Sequence, residues 1–188
     1  MSQNTDIKAL IAEIGDMLPT NMKSELDMLK FLNASPKAEW IKPHPMGKDM
    51  KYIPIGIIET MLQRIFGVVR IEVKDYKHIA NSVTVCVRIH YKSPVTGEWD
   101  FQDGLWASPI QIKAGNTATD FANMQTNAIQ IALPSAKSYA IKDAAEHIGA
   151  LFGRDIMRKE ILSYTALYPE EIKIEGFGKI APISNDNK

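Results

Sequence analysis

The chain has 188 residues, 45% of them hydrophobic and 23% charged, which suits one compact domain with peripheral elements and argues against intrinsic disorder. No stretch approaches the roughly 20 consecutive apolar residues of a membrane span, and the N-terminus lacks the charged-then-apolar pattern of a signal peptide. The single cysteine, Cys86, excludes an internal disulfide and a Cys-pair zinc site, so a reducing cytoplasm is the expected compartment.

The 22 basic and 22 acidic side chains cancel, yet they are segregated along the chain. Residues 41–92 hold nine Lys/Arg against four Asp/Glu and 137–159 hold five against three, while the remaining segments are acidic. Such a distribution allows a basic groove on a neutral molecule, although ordinary scatter on a solvated surface would give the same counts.

In chain order, Ile7, Leu10, Ile11, Ile14 and Leu18 recur at helical spacing, and Met22, Leu26, Leu29 and Leu32 do so after Pro19, which predicts two short amphipathic helices. Residues 33–51 carry Pro36, Pro43, Pro45 and Gly47, a composition of turns that reads as a linker. A helix is predicted over 54–66, opened by Pro54, lined by Ile58, Met61, Leu62 and Ile65, and stopped at Gly67.

After Gly67 the period changes to two. Val69, Ile71 and Val73 alternate with Arg70, Glu72 and Lys74; Val83, Val85, Val87, Ile89 and Tyr91 alternate with Thr84, Cys86, Arg88 and His90; and Trp99, Phe101 and Leu105 stand against Asp100 and Gln102. With the short link Ser93–Gly97 between the second and third runs, these predict an antiparallel three-stranded meander. One face should pack on helices and the other should show Arg70, Lys74, Arg88 and His90 beside Glu72 and Asp100. Trp99 and Tyr91 are expected on the packed face.

From Thr119 the chain reads as helix, broken at Pro134. The second piece carries Ala140, Ala144, Ile148, Leu151 and Phe152 on one stripe and Lys142 and Glu146 on the opposite side, and Gly153 falls where a left-handed cap is expected. A shorter helix is predicted from about 156 to 167. The fold class is therefore α+β: a three-stranded antiparallel β-meander packed by a long helix, with additional N- and C-terminal helices.

Metal-ligand spacing, phosphate loops and nucleophile elbows are absent from the sequence. His44, His78, His90 and His147 have no partner at ligand spacing, and Gly176-Phe177-Gly178 is not set between a strand and a helix. Cys86 has no evident base beside it. What remains is a set of cations with Tyr52, Tyr76, Tyr91, Trp99, Trp106 and Tyr139 near them in sequence, a mixture suited to a single nucleic-acid strand, whose phosphates pair with cations and whose bases stack on rings.

Particular residues then carry a resemblance. Tyr52-Ile53, Glu59-Thr60-Met61-Leu62 and Phe66-Gly67 resemble the opening of the single-strand annealing domain of the eukaryotic Rad fifty-two recombination mediator. Val83-Thr84-Val85-Cys86-Val87-Arg88 is similar to its central strand, and Gly97-Glu98-Trp99 with Asp103-Gly104 to its third. Ala136 to Ala144, ending in Leu151-Phe152-Gly153, resembles its long helix and the Phe-Gly that closes it. The likeness runs from about residue 48 to about 160; phage proteins of the Red-beta, ERF and Sak type share that annealing role, and a short neutral chain looks more like a phage or prophage member than a eukaryotic one.

The resemblance implies a β-β-β-α annealing core over 41–168, between an N-terminal helical extension at 1–40 and a C-terminal tail at 169–188. It implies ATP-independent annealing of complementary DNA strands in homologous recombination, without cofactor, enzymatic activity or membrane. The expected partners are single-stranded DNA, further copies of the chain in a ring or helical filament, a phage exonuclease and a host single-strand-binding protein, in the cytoplasm of a bacterial host. The family's arginine in the first helix falls on Ile57, its Lys-Arg pair in the long helix on Glu146 and His147, and the aromatic after its first Phe-Gly on Val68. DNA contact is therefore expected at other cations: Lys48, Lys51, Arg88, Lys113, Lys137, Lys142, Arg154, Arg158 and Lys159. Two other classes fit the same composition: a small α+β enzyme using His90 and Asp103 as acid and base, and a phage structural or adaptor oligomer that does not bind DNA.

Overall fold

The structure is a computed structural model that describes residues 24–44 and 47–158. The helices expected at 7–18 and 156–167 fall wholly or mostly outside these residues, as do Gly176-Phe177-Gly178 and Lys159. Within the described part, α1 spans Glu25–Leu32, β1 Lys42–His44, β2 Gly47–Tyr52, α2 Ile55–Phe66, β3 Val69–Ile79, β4 Ser82–Lys92, β5 Trp99–Pro109 and α3 Ala128–Ile148. The chain is α+β: β3, β4 and β5 form an antiparallel sheet in sequential order, and α3 packs across β4 and β5.

Strand β4 is the centre of the sheet. Val83, Val85, Val87, Ile89 and Tyr91 all face α3 and are buried, as their strict alternation predicts. The β3–β4 turn is tight, with Ala80 at φ 50°, and the β4–β5 link closes with Gly97 at φ 73° and a Ser93 N–H bond to the Glu98 carbonyl.

The phase of β5 is the opposite of the expected one. Val87 lies across from Gly104 and Val85 across from Trp106, so Gln102, Gly104, Trp106 and Ser108 face the helix, while Trp99, Phe101 and Leu105 lie on the outer face opposite Lys92, His90 and Cys86. All three outer apolar side chains are exposed, so the expected packing of Trp99 is corrected. Gly104 sets this phase. A Cβ there would stand 2.2 Å from the Ala140 carbonyl oxygen and 2.3 Å from the Ala144 nitrogen, so only a glycine lets the helix backbone come this close. The matching helix row is Ala132, Ala136, Ala140 and Ala144, spaced by four and buried.

Asp100 is also on the helix side, where its carboxylate accepts a hydrogen bond from the Tyr91 hydroxyl at 3.0 Å. Burial, with this partner second, pushes the Tyr91 phenol up to about 12. On β3 the alternation holds as far as Val73, after which Lys74 is an extra, bulged residue. Because α3 covers β4 and β5, the helix-side row of β3 is left open: Ile71, Val73 and Tyr76 are exposed.

Three further expectations are corrected. The segment read as a linker holds a short 3-10 turn at Ala38–Trp40 and the β1–β2 hairpin, and Trp40 is fully buried in the same core as Met28, Phe31 and Leu32. The buried stripe of α1 is Met28, Phe31 and Leu32, whereas Leu26 and Leu29 are exposed. Helix α3 starts at Ala128, preceded by a 3-10 turn at Phe121–Asn123, and runs through Pro134 unbroken. Pro134 is less than two turns from the helix start and exposed, so its ring meets solvent and only one backbone bond is forgone. The helix stops at Gly149, where a Cβ would stand 2.2 Å from the Leu32 carbonyl oxygen of α1, and Gly153 takes the expected left-handed conformation at φ 109° after the 3-10 turn Ala150–Phe152.

Candidate nucleic-acid interface

The sheet directs two very different surfaces. On its outer face, Arg88 makes a bidentate pair with Asp103, at 2.6 and 2.7 Å. That hydrogen-bonded guanidinium holds the Asp103 carboxyl below its ordinary range. The same Arg88 lies 3.9 Å from the centre of the Phe101 ring, and Arg70 lies 5.1 Å from that of Trp99. His90 meets the Glu72 carboxylate at 3.0 Å, and Lys74 meets it at 3.3 Å. Arg88 is thus held in an ion pair, and His90 and Asp103 each have a charged partner on an open surface, while Arg70 on the same face meets the Trp99 ring.

On the helix side, the β1–β2 hairpin stands away from α3 and the end of β5, and between them lies a cavity of about 620 Å³. It is lined by Lys51, Tyr52, Trp106, Tyr139, Lys142 and Arg154, with His44, Ser108, Ser135, Asp143 and Glu146 among its polar groups. Of the expected DNA-contact residues, this cavity gathers three: Lys51 from β2, Lys142 from α3 and Arg154 from beyond Gly153. Lys137 is exposed on another face of α3, Lys113 is exposed in the β5–α3 connection, and Arg158 is exposed and pairs with Asp155 at 3.3 Å. Lys48 is on β2, and its side chain is outside the described part.

Local sequence explains the wall. Ser135, Tyr139, Lys142 and Glu146 follow one another by three or four residues and so share a helix stripe, offset from the alanine row that grips the sheet. Tyr139 stacks on Trp106 with centroids 4.8 Å apart and rings 20° from parallel. The Lys142 ammonium lies 4.4 Å from the Tyr52 ring centre and 4.6 Å from that of Tyr139, wedged between hairpin and helix. His44 Nε2 is hydrogen-bonded to the Tyr139 hydroxyl and its ring meets Tyr52 edge-on at 5.1 Å, which ties β1 to the same cluster.

Lys142 and Glu146 share a side of α3, as their spacing predicts, but that side borders the cavity and is partly covered. Lys142 is buried, and that burial lowers its pKa. Glu146 is half-buried, and its carboxyl is pushed up to about 7, first by burial and then by Asp143, against the opposing pull of Lys142 and Arg158. Arg154 is anchored by the Asn33 side-chain oxygen at 2.9 Å and by Asp155 at 3.5 Å.

Sequence reasoning missed His44, Ser108, Asp143 and the cavity role of Glu146. Asp143 accepts a hydrogen bond from the Leu105 backbone N–H at 2.9 Å, which fixes the helix to the edge strand. A signal was present: α3 carries polar or aromatic groups beside a continuous alanine row, the mark of a helix with neighbours on two sides.

Among the described residues no group of His, Cys, Asp and Glu could hold a metal ion, and no helix is long and apolar enough to cross a membrane. No known protein-family model matches the chain, and no curated protein matches it.

Proposed function

We propose that the chain binds single-stranded DNA along this cavity and anneals complementary strands without nucleotide hydrolysis. The observation that carries the reading is the convergence of Lys51, Lys142 and Arg154 on one aromatic-walled groove of an otherwise neutral molecule. Annealing requires a strand held by its phosphates with base edges left open to a complement, and cations set in a groove between sheet and hairpin meet that need. The resemblance to the Rad fifty-two annealing core, in the order helix, three strands, long helix, points the same way.

The test is fluorescence anisotropy with a labelled oligonucleotide, followed by addition of its complement. Affinity is expected to fall with salt at a log-log slope of about −0.7 per phosphate contact, and duplex formation to accelerate without ATP or metal. Absence of binding at low salt would overturn the reading.

Self-association belongs to the same proposal. The open row Ile71, Val73 and Tyr76 on β3 is an apolar strip that α3 does not reach, and both β3 and β5 are sheet edges. Copies arranged head to tail would cover that strip and align their grooves, so that a few cations per subunit act together. Light scattering is expected to give an oligomer whose mass drops to that of one chain in Val73→Lys. A wild-type chain that stays monomeric with and without DNA would contradict this part.

A further inference from the structure

Three features of the cavity are unexplained by a phosphate grip alone. Trp106 projects from β5 on the helix side, yet it is 42% exposed. One ring face stacks on Tyr139 and its side chain borders the cavity. Burying a tryptophan on a sheet's inner face is favourable, and leaving it open there forgoes that gain without evident benefit to the fold.

The second feature is Lys142. Its side chain is nine-tenths buried and lines the cavity, but it makes no hydrogen bond or salt bridge among the described residues; its ammonium lies against the Tyr52 and Tyr139 rings, and the Glu146 carboxyl acts on it electrostatically. A desolvated cation without a hydrogen-bonded anion is costly; the Glu146 carboxyl offsets that only in part, and burial keeps the pKa of Lys142 lowered. The third is shape. At about 620 Å³ the cavity falls in the range of about 300–1,000 Å³ that encloses small organic ligands, far more than a phosphate group fills.

We infer that this cavity takes one nucleotide of the bound strand out of line with its neighbours, the base stacked in the Trp106–Tyr139 wall and a flanking phosphate set against Lys142. The inference rests on the proposed strand binding and adds to it a base-holding subsite. Every base has a π-face, so stacking supplies affinity without sequence preference. Ser108 and Ser135, whose hydroxyls meet at 3.3 Å, and the Asp143 carboxylate offer polar atoms at the cavity wall for the base edge. Charge complementarity selects a nucleotide over an apolar occupant, because the buried ammonium lacks a hydrogen-bonded anion and the Trp106–Tyr139 wall offers a ring face to a flat base. In function, a base withdrawn at intervals would punctuate the strand into short exposed runs that a complement can sample one at a time.

The experiment compares a short thymidine oligonucleotide with an abasic strand of the same length and phosphate count, using the full chain. Wild type is expected to bind the abasic strand roughly tenfold more weakly or worse, since one base–aromatic stack contributes about 1–3 kcal/mol. In Trp106→Leu the two strands should bind alike with an unchanged salt slope, while Phe121→Leu, an exposed aromatic outside the cavity, should behave as wild type. A readout that needs no variant is photo-cross-linking of a 5-iododeoxyuridine strand to wild-type protein, with the adduct expected at Trp106 or Tyr139. Equal affinity for both strands, adducts confined to other residues, or a discrimination that survives Trp106→Leu would overturn the subsite and leave strand binding standing. Binding of neither strand would defeat the proposed function itself. Free deoxyadenosine monophosphate is expected not to compete with the strand at millimolar concentration; tight competition would reassign the cavity to a free nucleotide.

Discussion

Gly104→Ala is expected to abolish the cooperative thermal transition or lower stability by about 3 kcal/mol or more, because the added methyl meets backbone rather than a movable side chain. The Cβ would lie 2.2 Å from the Ala140 oxygen and 2.3 Å from the Ala144 nitrogen, so either α3 lifts from β5 or the strand bends away. Each outcome separates the alanine row from the sheet and removes the Leu105 N–H bond to Asp143, which holds the helix to the strand edge. The cavity would open with it, since Trp106 comes from β5 and Tyr139 from α3. Gly56→Ala is the companion measurement. Gly56 lies inside α2 with nothing within 4 Å of its would-be Cβ, so alanine there should stabilise by about 0.5–1 kcal/mol. Circular dichroism melts of the two variants should therefore move in opposite directions. An unchanged melt for Gly104→Ala would mean that α3 and β5 are not in backbone contact.

The same close approach explains what was legible in the sequence and what was not. The meander could be read because β4 alternates strictly over Val83 to Tyr91, a pattern that only a strand buried on one face requires. The phase of β5 could not be read from hydropathy, because its most apolar row, Trp99, Phe101 and Leu105, faces outward and a glycine and a serine face the core. Hydropathy weighs side-chain burial, whereas Gly104 is chosen for the backbone it admits. Trp40 was lost for a related reason: a proline-rich stretch predicts turns correctly, but it does not reveal that one residue among them plugs the core. Their i,i+4 spacing places Lys142 and Glu146 on one side of the helix but says nothing of what covers that side. Their real setting depends on the β1–β2 hairpin, some 90 residues earlier, folding over that side of the helix. Long-range placement of this kind has no local periodicity to betray it.

The Lys142 and Glu146 pair makes the groove sensitive to pH. The Glu146 carboxyl, held up to about 7 against an ordinary 4.5, is largely neutral in mildly acidic solution and charged in mildly alkaline solution. Unfolding releases the proton that the folded chain retains between those values, so Glu146 favours folding at low pH and gives up that contribution as pH rises through about 7. With the group partly exposed, the loss is about 1–2 kcal/mol, and Glu146→Gln should melt higher than wild type at pH 8 but alike at pH 5. Strand binding should follow the same titration for a separate reason. A carboxylate beside Lys142 repels an incoming phosphate, so wild-type affinity is expected to rise roughly fivefold to tenfold from pH 8 to pH 6, and Glu146→Gln should be tight at both. Lys142→Met keeps an unbranched stem between Tyr52 and Tyr139 while removing the charge, and should weaken binding about tenfold to 100-fold with little change in melting temperature. His44 lies in the same cluster, hydrogen-bonded to Tyr139, so the assignment is checked by His44→Gln, in which the pH dependence of binding should persist. If Glu146→Gln retained the wild-type pH profile, the groove's response would have to be reassigned to another group. If Lys142→Met bound the strand as wild type does, the buried ammonium would serve only to pin the hairpin to the helix.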